Sequence, residues 1–282
     1  MLVTVFNKNT SHYEKVGEGK ALPHLRQPFS GIEQLHEVAP LFRDPLRVTG
    51  EELAHDIGAS FVLAKNKTLQ RLQDKSEEEA SNGDTITDYV RGSIMIGHWK
   101  QVEALRKLIE PTEGGDAIEI AGNRLIYYVD NFAEPLKNGM RRVMQKYDIA
   151  ANDNAGHHVG EIQARVAAMQ DAEALTHRIY RMKRDFNRFA AKFSATDYRL
   201  AHRMALLAGY CGDLIKPIHD LEAMRHGYDV LLTIPYDRAM APNPNNPILK
   251  ILMREHDAAA QLQPILKMAH DPKMTAKTYI IG

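Results

Sequence analysis

The chain has 282 residues, of which 44% are hydrophobic and 26% charged, and this composition is ordinary for a globular protein with one large core or two modest ones. Lys plus Arg and Asp plus Glu each number 36, so the zero net charge excludes the overall positive field of proteins that grip nucleic acid chiefly through its phosphates. The single cysteine, Cys211, excludes an internal disulfide and is expected to be an apolar filler in a helix.

Residues 1–48 predict an irregular N-terminal arm, because Gly, Pro and His are frequent there and hydrophobic periodicity is weak. Thr49 fits an N-cap, and apolar residues at helical spacing predict a helix that runs on through Phe61 and Leu63. The basic run Lys65–Lys75 either prolongs this helix or begins a second one.

Residues 88–165 alternate between strand and helix signals. The apolar pattern of His98–Ile109 predicts a helix, and two apolar runs around Gly122 and Asn123 predict a hairpin. A polar turn over residues 152–156 predicts that the strands on either side of it pair antiparallel. The predicted strands are Asp88–Ile96, Ala117–Ile120, Leu125–Val129, Met140–Ile149 and His157–Arg165.

The last third of the chain is mostly helical in its pattern. Helices are predicted over Ala167–Ala191, Asp197–His219 and Ile248–Ala269, with a late strand at Asp229–Ile234 and a loop at Pro242–Pro247. The chain is therefore expected to be an α+β protein with a mixed β-sheet flanked by helices. We expect three parts: the arm over 1–48, a core over 49–190, and a helical C-terminal extension over 191–282 that serves regulation, oligomerisation or docking of a protein partner.

Neither a secretory signal nor a run of ~18 apolar residues is present, so we expect a cytoplasmic protein with no membrane partner. Delivery into another cell by a dedicated secretion machine would leave no such signal and stays open.

The segment from His157 to Arg165 carries an acid, an amide and a base at every second position. Because residues i, i+2 and i+4 of a strand share one face, Glu161, Gln163 and Arg165 project together. A half-buried strand with an ordinary solvent face shows the same alternation. A functional reading therefore depends on other residues that converge on this face.

Asp88 and the basic run supply groups of that kind. Lys67, Arg71 and Lys75 are spaced i, i+4, so their like charges repel and an anionic ligand would relieve the repulsion. The alternatives are a strand-capping aspartate and a solvated helix face. A zinc site is not predicted, because no His/Cys spacing suits one.

In order along the chain, the motifs are K-N-K-T-L-Q-R-L-Q-D-K over 65–75, D-Y-V-R-G-S-I over 88–94, Asn123-Arg124, G-M-R-R-V over 139–143, H-V-G-E-I-Q over 158–163, and H-R-I-Y over 177–180. Over roughly residues 60–185 this order resembles the RelA/SpoT-type synthetase domain of alarmone synthetases and related small toxins. The resemblance implies a nucleotidyltransferase-like core and transfer of pyrophosphate from ATP to a 3′-hydroxyl of a nucleotide or of another acceptor.

The resemblance also implies roles for individual residues. Asp88 and Glu161 are the expected catalytic pair and ligands of Mg²⁺, with Glu161 sharing the ion or orienting the attacking hydroxyl. The triphosphate of ATP is expected on Lys65, Arg71, Lys75 and Arg91. The acceptor is expected on Asn123, Arg124, Met140, Arg141, Gln163 and Arg165.

The acceptor stays open at this point, because the chain has Met140 where the family has a tyrosine that stacks on guanine. Guanosine nucleotides, adenosine nucleotides and an RNA end such as that of tRNA are all candidates. Two other hypotheses also stay open: an inactive nucleotide-binding sensor or interaction module of the same fold, and a related nucleotidyltransferase that moves another part of ATP onto another acceptor.

Overall fold

The computed structural model describes residues 2–21, 25–29, 31–79, 81, 83–132, 135–150, 156–225 and 250–257. The strands are β1 (Leu2–Asn7), β2 (His12–Gly17), β3 (Ser60–Leu63), β4 (Arg91–Ile96), β5 (Glu119–Ile120), β6 (Asn123–Asp130), β7 (Val143–Ala150) and β8 (His157–Val166). The helices are α1 (Ile32–Val38), α2 (Arg43–Asp56), α3 (Leu69–Glu79), α4 (Trp99–Ile109), α5 (Gln170–Phe193) and α6 (Tyr198–Arg225), and residues 250–257 are also helical.

The strands form one mixed sheet in the order β2-β1-β6-β7-β8-β4-β3, with β5 beside β6. Only β4 and β8 pair in parallel in the described part of this sheet, and the other neighbours are antiparallel. The expected α+β class with a mixed sheet is confirmed, as is the antiparallel pairing of β7 with β8.

The irregular arm expected over residues 1–48 is wrong, because β1 and β2 are an integral edge of the sheet. β1 pairs with β2 on one side and with β6 on the other. Val3, Val5 and Tyr13 are buried in a cluster with residues of β6. Strand pairing with a segment more than 100 residues away stabilises what the local pattern left weak.

The helix expected from Thr49 through Leu63 ends early, at Asp56. Gly58 adopts a left-handed backbone (φ 67°), and its amide donates to the carbonyl of His55, which closes the helix. Phe61 and Leu63 belong instead to β3, where Phe61 pairs with Ile94 of β4.

One face of the sheet is covered by α2, and Phe61 fills the space between two glycines there. A methyl group on Gly50 of α2 would lie 2.2 Å from the Phe61 ring, and one on Gly92 of β4 would lie 2.1 Å from it. We expect Gly50→Ala to lower the free energy of unfolding by about 1–3 kcal/mol through overpacking. The control Gly17→Ala, with open space around its added methyl group, is expected within about 0.5 kcal/mol of wild type. Urea unfolding followed by the fluorescence of Trp99, the single tryptophan, measures both; equal stabilities would contradict the packing.

On that same face, β8 buries His158 against two aromatic rings. Its ring is stacked on Phe42 at 5.0 Å between centroids, with Phe29 at 6.2 Å, and neither ring nitrogen has a hydrogen-bond partner among the described residues. Burial lowers the pKa of His158 from 6.5 to about 3. Below pH 6.5 the unfolded chain therefore binds a proton that the folded chain refuses, so stability is present above that pH and is lost as the pH falls toward 3.

We expect the folded state to lose about 2 kcal/mol between pH 7 and pH 5 through His158 alone. His158→Leu should lack this part of the pH dependence, whereas His55→Gln, a change at an exposed histidine, should keep it. Urea unfolding at the two pH values, followed by Trp99 fluorescence, is the measurement. An unchanged pH dependence in His158→Leu would contradict the burial of a neutral imidazole.

The chain divides into two compact units, residues 1–135 with 141–168, and residues 136–140 with 169–282. These bounds differ from the three parts expected from the sequence, because α5 and α6 share one apolar core. That core includes Ile179 and Phe186 of α5 and Met204 and Cys211 of α6. Burial raises the pKa of Cys211 to about 12, as expected for an apolar filler.

Two sequence expectations, the strand at Asp229–Ile234 and the loop at Pro242–Pro247, lie outside the described residues. The expected helix over Ile248–Ala269 is described only over 250–257, which is helical. None of the helices in the described part of the chain combines the length and apolar character that a membrane crossing requires.

Candidate active site

The centre of the sheet places Glu161 between two basic residues. Glu161 of β8 pairs with Arg91 of β4 in parallel register and with Lys146 of β7 in antiparallel register. Directly paired residues of neighbouring strands project from the same face, so the three side chains stand side by side. Glu161 is only 5% exposed, and Gln163, two residues further along β8, donates a side-chain hydrogen bond to its Oε1.

Asp88 lies in the turn that leads into β4, three residues before the strand begins. Lys67 Nζ is 2.5 Å from Asp88 Oδ2, and Lys75 Nζ is 2.6 Å from Oδ1. Arg91 Nη1 follows at 3.8 Å from Oδ2. Each carboxylate oxygen thus has its own ammonium, and a third cation stands beside them.

The charges of this cluster are strongly coupled. Burial alone would raise the pKa of the Asp88 carboxyl, but Lys67 and Lys75 outweigh it and hold that pKa well below its usual range. Burial also lowers the pKa of Lys67 to about 8, although Asp88 opposes the shift. Asp88 is therefore a carboxylate at neutral pH, whereas Lys67 loses its proton more easily than an ordinary lysine.

The segment that carries Lys67 is held in place by two side chains. The hydroxyl of Tyr89 donates to the carbonyl of Lys67 (3.1 Å) and lies 2.5 Å from Nδ1 of His36. Arg43 of α2 donates to the carbonyl of Ala64 at 2.9 Å. Because both anchors belong to the folded core, the ammonium is positioned before any ligand arrives.

The basic run enters the site differently from the sequence expectation. Lys65 and Lys67 precede α3 rather than lying on one helix face with Arg71 and Lys75. Lys65 is exposed, and Arg71 Nη1 lies 3.9 Å from Asp74. Lys67, which was not among the expected ATP ligands, contacts Asp88 together with Lys75. The i, i+4 spacing of Lys67, Arg71 and Lys75 was the available signal, since it singled out Lys67 rather than Lys65.

Two further cations, Arg142 and Lys146, were not predicted. Burial lowers the pKa of both, and in each case the carboxylates of Glu161 and Asp88 oppose the shift. Lys146 donates to Oγ1 of Thr87, the neighbour of Asp88, at 2.5 Å. Both carboxylates therefore act on the same two cations and share one electrostatic neighbourhood.

Arg165 lies on the same face of β8 as Glu161 and Gln163. It pairs with Met95 of β4, and burial followed by repulsion from Arg142 and Arg91 lowers its pKa. This crowding of cations favours an anionic ligand. Arg141 is buried, at 3% exposure.

Asn123 and Arg124 have other partners. Asn123 is 3% exposed, donates to Oγ1 of Thr49 in α2 at 2.8 Å, and accepts from the amide of Ala150. Arg124 pairs with Glu119 at 3.0 Å and lies over the Phe6 ring. These contacts tie the hairpin to its surroundings, and we leave both residues out of the site proposed below.

Met140 belongs to the second unit, so its part in acceptor binding stays a prediction. Its backbone amide donates to Asn138 Oδ1, and its carbonyl accepts from the amide of Leu136, so both groups belong to a local turn. Gly139 holds this turn with a left-handed backbone (φ 79°).

The acidic pair fits Mg²⁺, which uses one or two protein carboxylates and takes its other ligands from water and phosphate. Asp88 and Glu161 would be the two, since each is a carboxylate with cations around it. No group of three or more His, Cys, Asp or Glu suited to a metal occurs among the described residues.

No protein-family model and no curated protein matches the chain. Among solved structures it is similar to small alarmone synthetase 1 from Bacillus subtilis bound to its product pppGpp (13% identity, TM-score 0.40, 68% of this chain and 96% of that one). It is also similar to small alarmone synthetase 2 from Bacillus subtilis (16%, 0.42, 68% and 94%) and to the complex of the Type VI effector Tas1 with its immunity protein (17%, 0.35, 82% and 95%). These proteins are of the class that the sequence motifs resemble.

Proposed function

We propose that this chain transfers the pyrophosphoryl group of ATP to a hydroxyl group of a nucleotide, with Mg²⁺ as cofactor. One observation carries the proposal: two carboxylates, Asp88 and Glu161, share basic neighbours at one sheet face and the turn beside it. A site that only binds an anion gains nothing from carboxylates that repel it. A site that binds polyphosphate with a divalent cation needs both signs of charge.

On the donor side, Lys67 and Lys75 are proposed to exchange Asp88 for phosphate oxygens of ATP. The exchange replaces one charge-assisted hydrogen bond by another, so it requires little net desolvation. It also frees the oxygens of Asp88 to hold Mg²⁺, which would neutralise phosphate charge. Arg91 of β4, whose Nη1 lies 3.8 Å from Asp88 Oδ2, is proposed to contact the same phosphate oxygens from the sheet.

On the acceptor side, Glu161 is proposed to orient the attacking hydroxyl and take its proton. The hydroxyl oxygen forms a bond to the β-phosphorus of ATP, and the bond from that phosphorus to the oxygen shared with the α-phosphate breaks. AMP leaves with the electron pair, and Glu161 passes the proton to solvent. Gln163 keeps the carboxylate in one orientation through its hydrogen bond.

We further propose a free nucleotide rather than an RNA end as the acceptor. The net charge of zero supplies no broad positive surface for an RNA chain, whereas the local pair of Arg142 and Arg165 suits the phosphates of one nucleotide. Guanosine and adenosine remain alternatives, because Met140 offers a base a polarizable but not an aromatic surface.

The test is incubation with ATP labelled at the γ position, Mg²⁺ and separate acceptors: GDP, GTP, ADP, ATP and uncharged tRNA. We expect label on at least one nucleotide acceptor and none on tRNA. Label on tRNA alone would replace the proposed acceptor class. ATP binding without label transfer to any acceptor would favour the nucleotide-binding sensor and overturn the proposal.

A further inference from the structure

Lys146 combines partial burial with few hydrogen-bond partners for its ammonium group. Its Nζ makes one hydrogen bond among the described residues, to Thr87 Oγ1, and lies 5.3 Å from the centre of the Tyr127 ring. An ammonium has three N–H donors, and the ring face satisfies one direction only weakly. At least one N–H donor of Lys146 therefore has no hydrogen-bond acceptor among the described residues.

The position of Lys146 in the sheet brings its ammonium group close to both acidic residues of the site. It is the direct cross-strand neighbour of Glu161, and its hydrogen-bonded partner Thr87 adjoins Asp88. The ammonium thus lies beside the neighbour of Asp88 and projects from the same sheet face as Glu161, and both carboxylates act on its charge. Arg142, the residue before β7, also has a guanidinium Nε without a hydrogen-bond partner among the described residues.

We infer that Lys146 is a ligand-contacting catalytic residue that donates a hydrogen bond to an oxygen of the transferred phosphoryl group. This inference rests on the proposed function for the identity of that group. The competing role is purely structural, in which Lys146 only connects the turn at Thr87 to the sheet. The two roles predict opposite effects of Lys146 on the stability of the ligand-free protein. A buried cation that serves to bind a ligand lowers that stability, whereas a purely structural lysine raises it.

The test compares wild type with Lys146→Met, Lys146→Arg and the control Lys8→Met, which removes an exposed lysine from its pair with Asp148. Binding of the α,β-methylene analogue of ATP with Mg²⁺ is measured by calorimetry, and urea unfolding by Trp99 fluorescence. We expect Lys146→Met to bind the analogue at least about tenfold more weakly and to lose turnover by about 10²–10³-fold, with an equal or higher urea midpoint. Lys146→Arg should recover most of the binding.

Unchanged analogue binding in Lys146→Met would overturn the inference. A lowered urea midpoint or a failure to fold would also overturn it, because either result indicates a purely structural role. A wild-type protein that does not bind the analogue would overturn it as well. If wild type binds the analogue but transfers nothing to any acceptor, only the proposed function fails, since the binding comparison still decides the role of Lys146.

Discussion

Asp88→Asn is expected to reduce pyrophosphate transfer by at least about 10³-fold, because the neutral amide binds Mg²⁺ far more weakly than a carboxylate and offers only one acceptor oxygen to the two lysines. The same change should strengthen the binding of metal-free inorganic pyrophosphate. Lys67 and Lys75, now 2.5 and 2.6 Å from Asp88, would be released to the anion. Loss of turnover together with tighter pyrophosphate binding is a combination that general damage to the fold would not produce.

Turnover and pyrophosphate calorimetry on Asp88→Asn measure both effects. The matched control is Asp44→Asn, which breaks a pair between an exposed aspartate and Arg47 on α2. The control should keep wild-type turnover and binding. Weaker pyrophosphate binding in Asp88→Asn would show that Lys67 and Lys75 depend on Asp88 for their positions and do not exchange it for phosphate.

Glu161→Gln is expected to lower transfer by about 10²–10⁴-fold, the range associated with loss of a general base. The glutamine keeps the shape of the side chain but removes the negative charge that faces Lys146 and Arg142. The affinity for the metal-free α,β-methylene analogue of ATP should change less than about threefold, because the proposed ligands of the ATP phosphates belong to the Asp88 cluster.

Steady-state kinetics with varied acceptor, and calorimetry with the analogue, separate these effects for Glu161→Gln. Glu119→Gln, at an exposed residue that pairs with Arg124, is the control and should behave as wild type. Turnover within about threefold of wild type in Glu161→Gln would remove Glu161 from the chemistry. A large loss of analogue binding would move it to the donor side.

Much of the core was predictable because its signals are local. Alternation predicted β7 and β8 and their antiparallel pairing, and helical periodicity predicted α4, α5 and α6 within a few residues. The two-residue turn at Ala121 and Gly122, both with positive φ, matches the predicted hairpin. Motif order likewise selected Arg91, Glu161 and Gln163, which lie on one sheet face, Asp88 in the turn beside it, and Lys75, which contacts Asp88 from α3.

The rest depends on long-range pairing that local patterns do not encode. β1 and β2 are stabilised by a sheet edge formed far along the chain, and β3 continues the apolar spacing of α2, so its strand character appears only when β4 is beside it. Lys146 was missed for the same reason. Alternation gives its face on β7, but only the register places it opposite Glu161, and a shift by one residue would turn it to the other face.

Asp88 and Glu161 are proposed to serve the transfer of the β and γ phosphates of ATP as one unit. The most direct measurement runs parallel incubations with ATP labelled at the α or the γ position, Mg²⁺ and the accepted nucleotide, with Asp88→Asn as the blank. The proposal predicts γ label on the acceptor, α label recovered as AMP, and one AMP for each product molecule. Label from the α position on the acceptor would indicate a nucleotidyltransferase instead, and γ label recovered only as free phosphate or pyrophosphate would contradict transfer altogether.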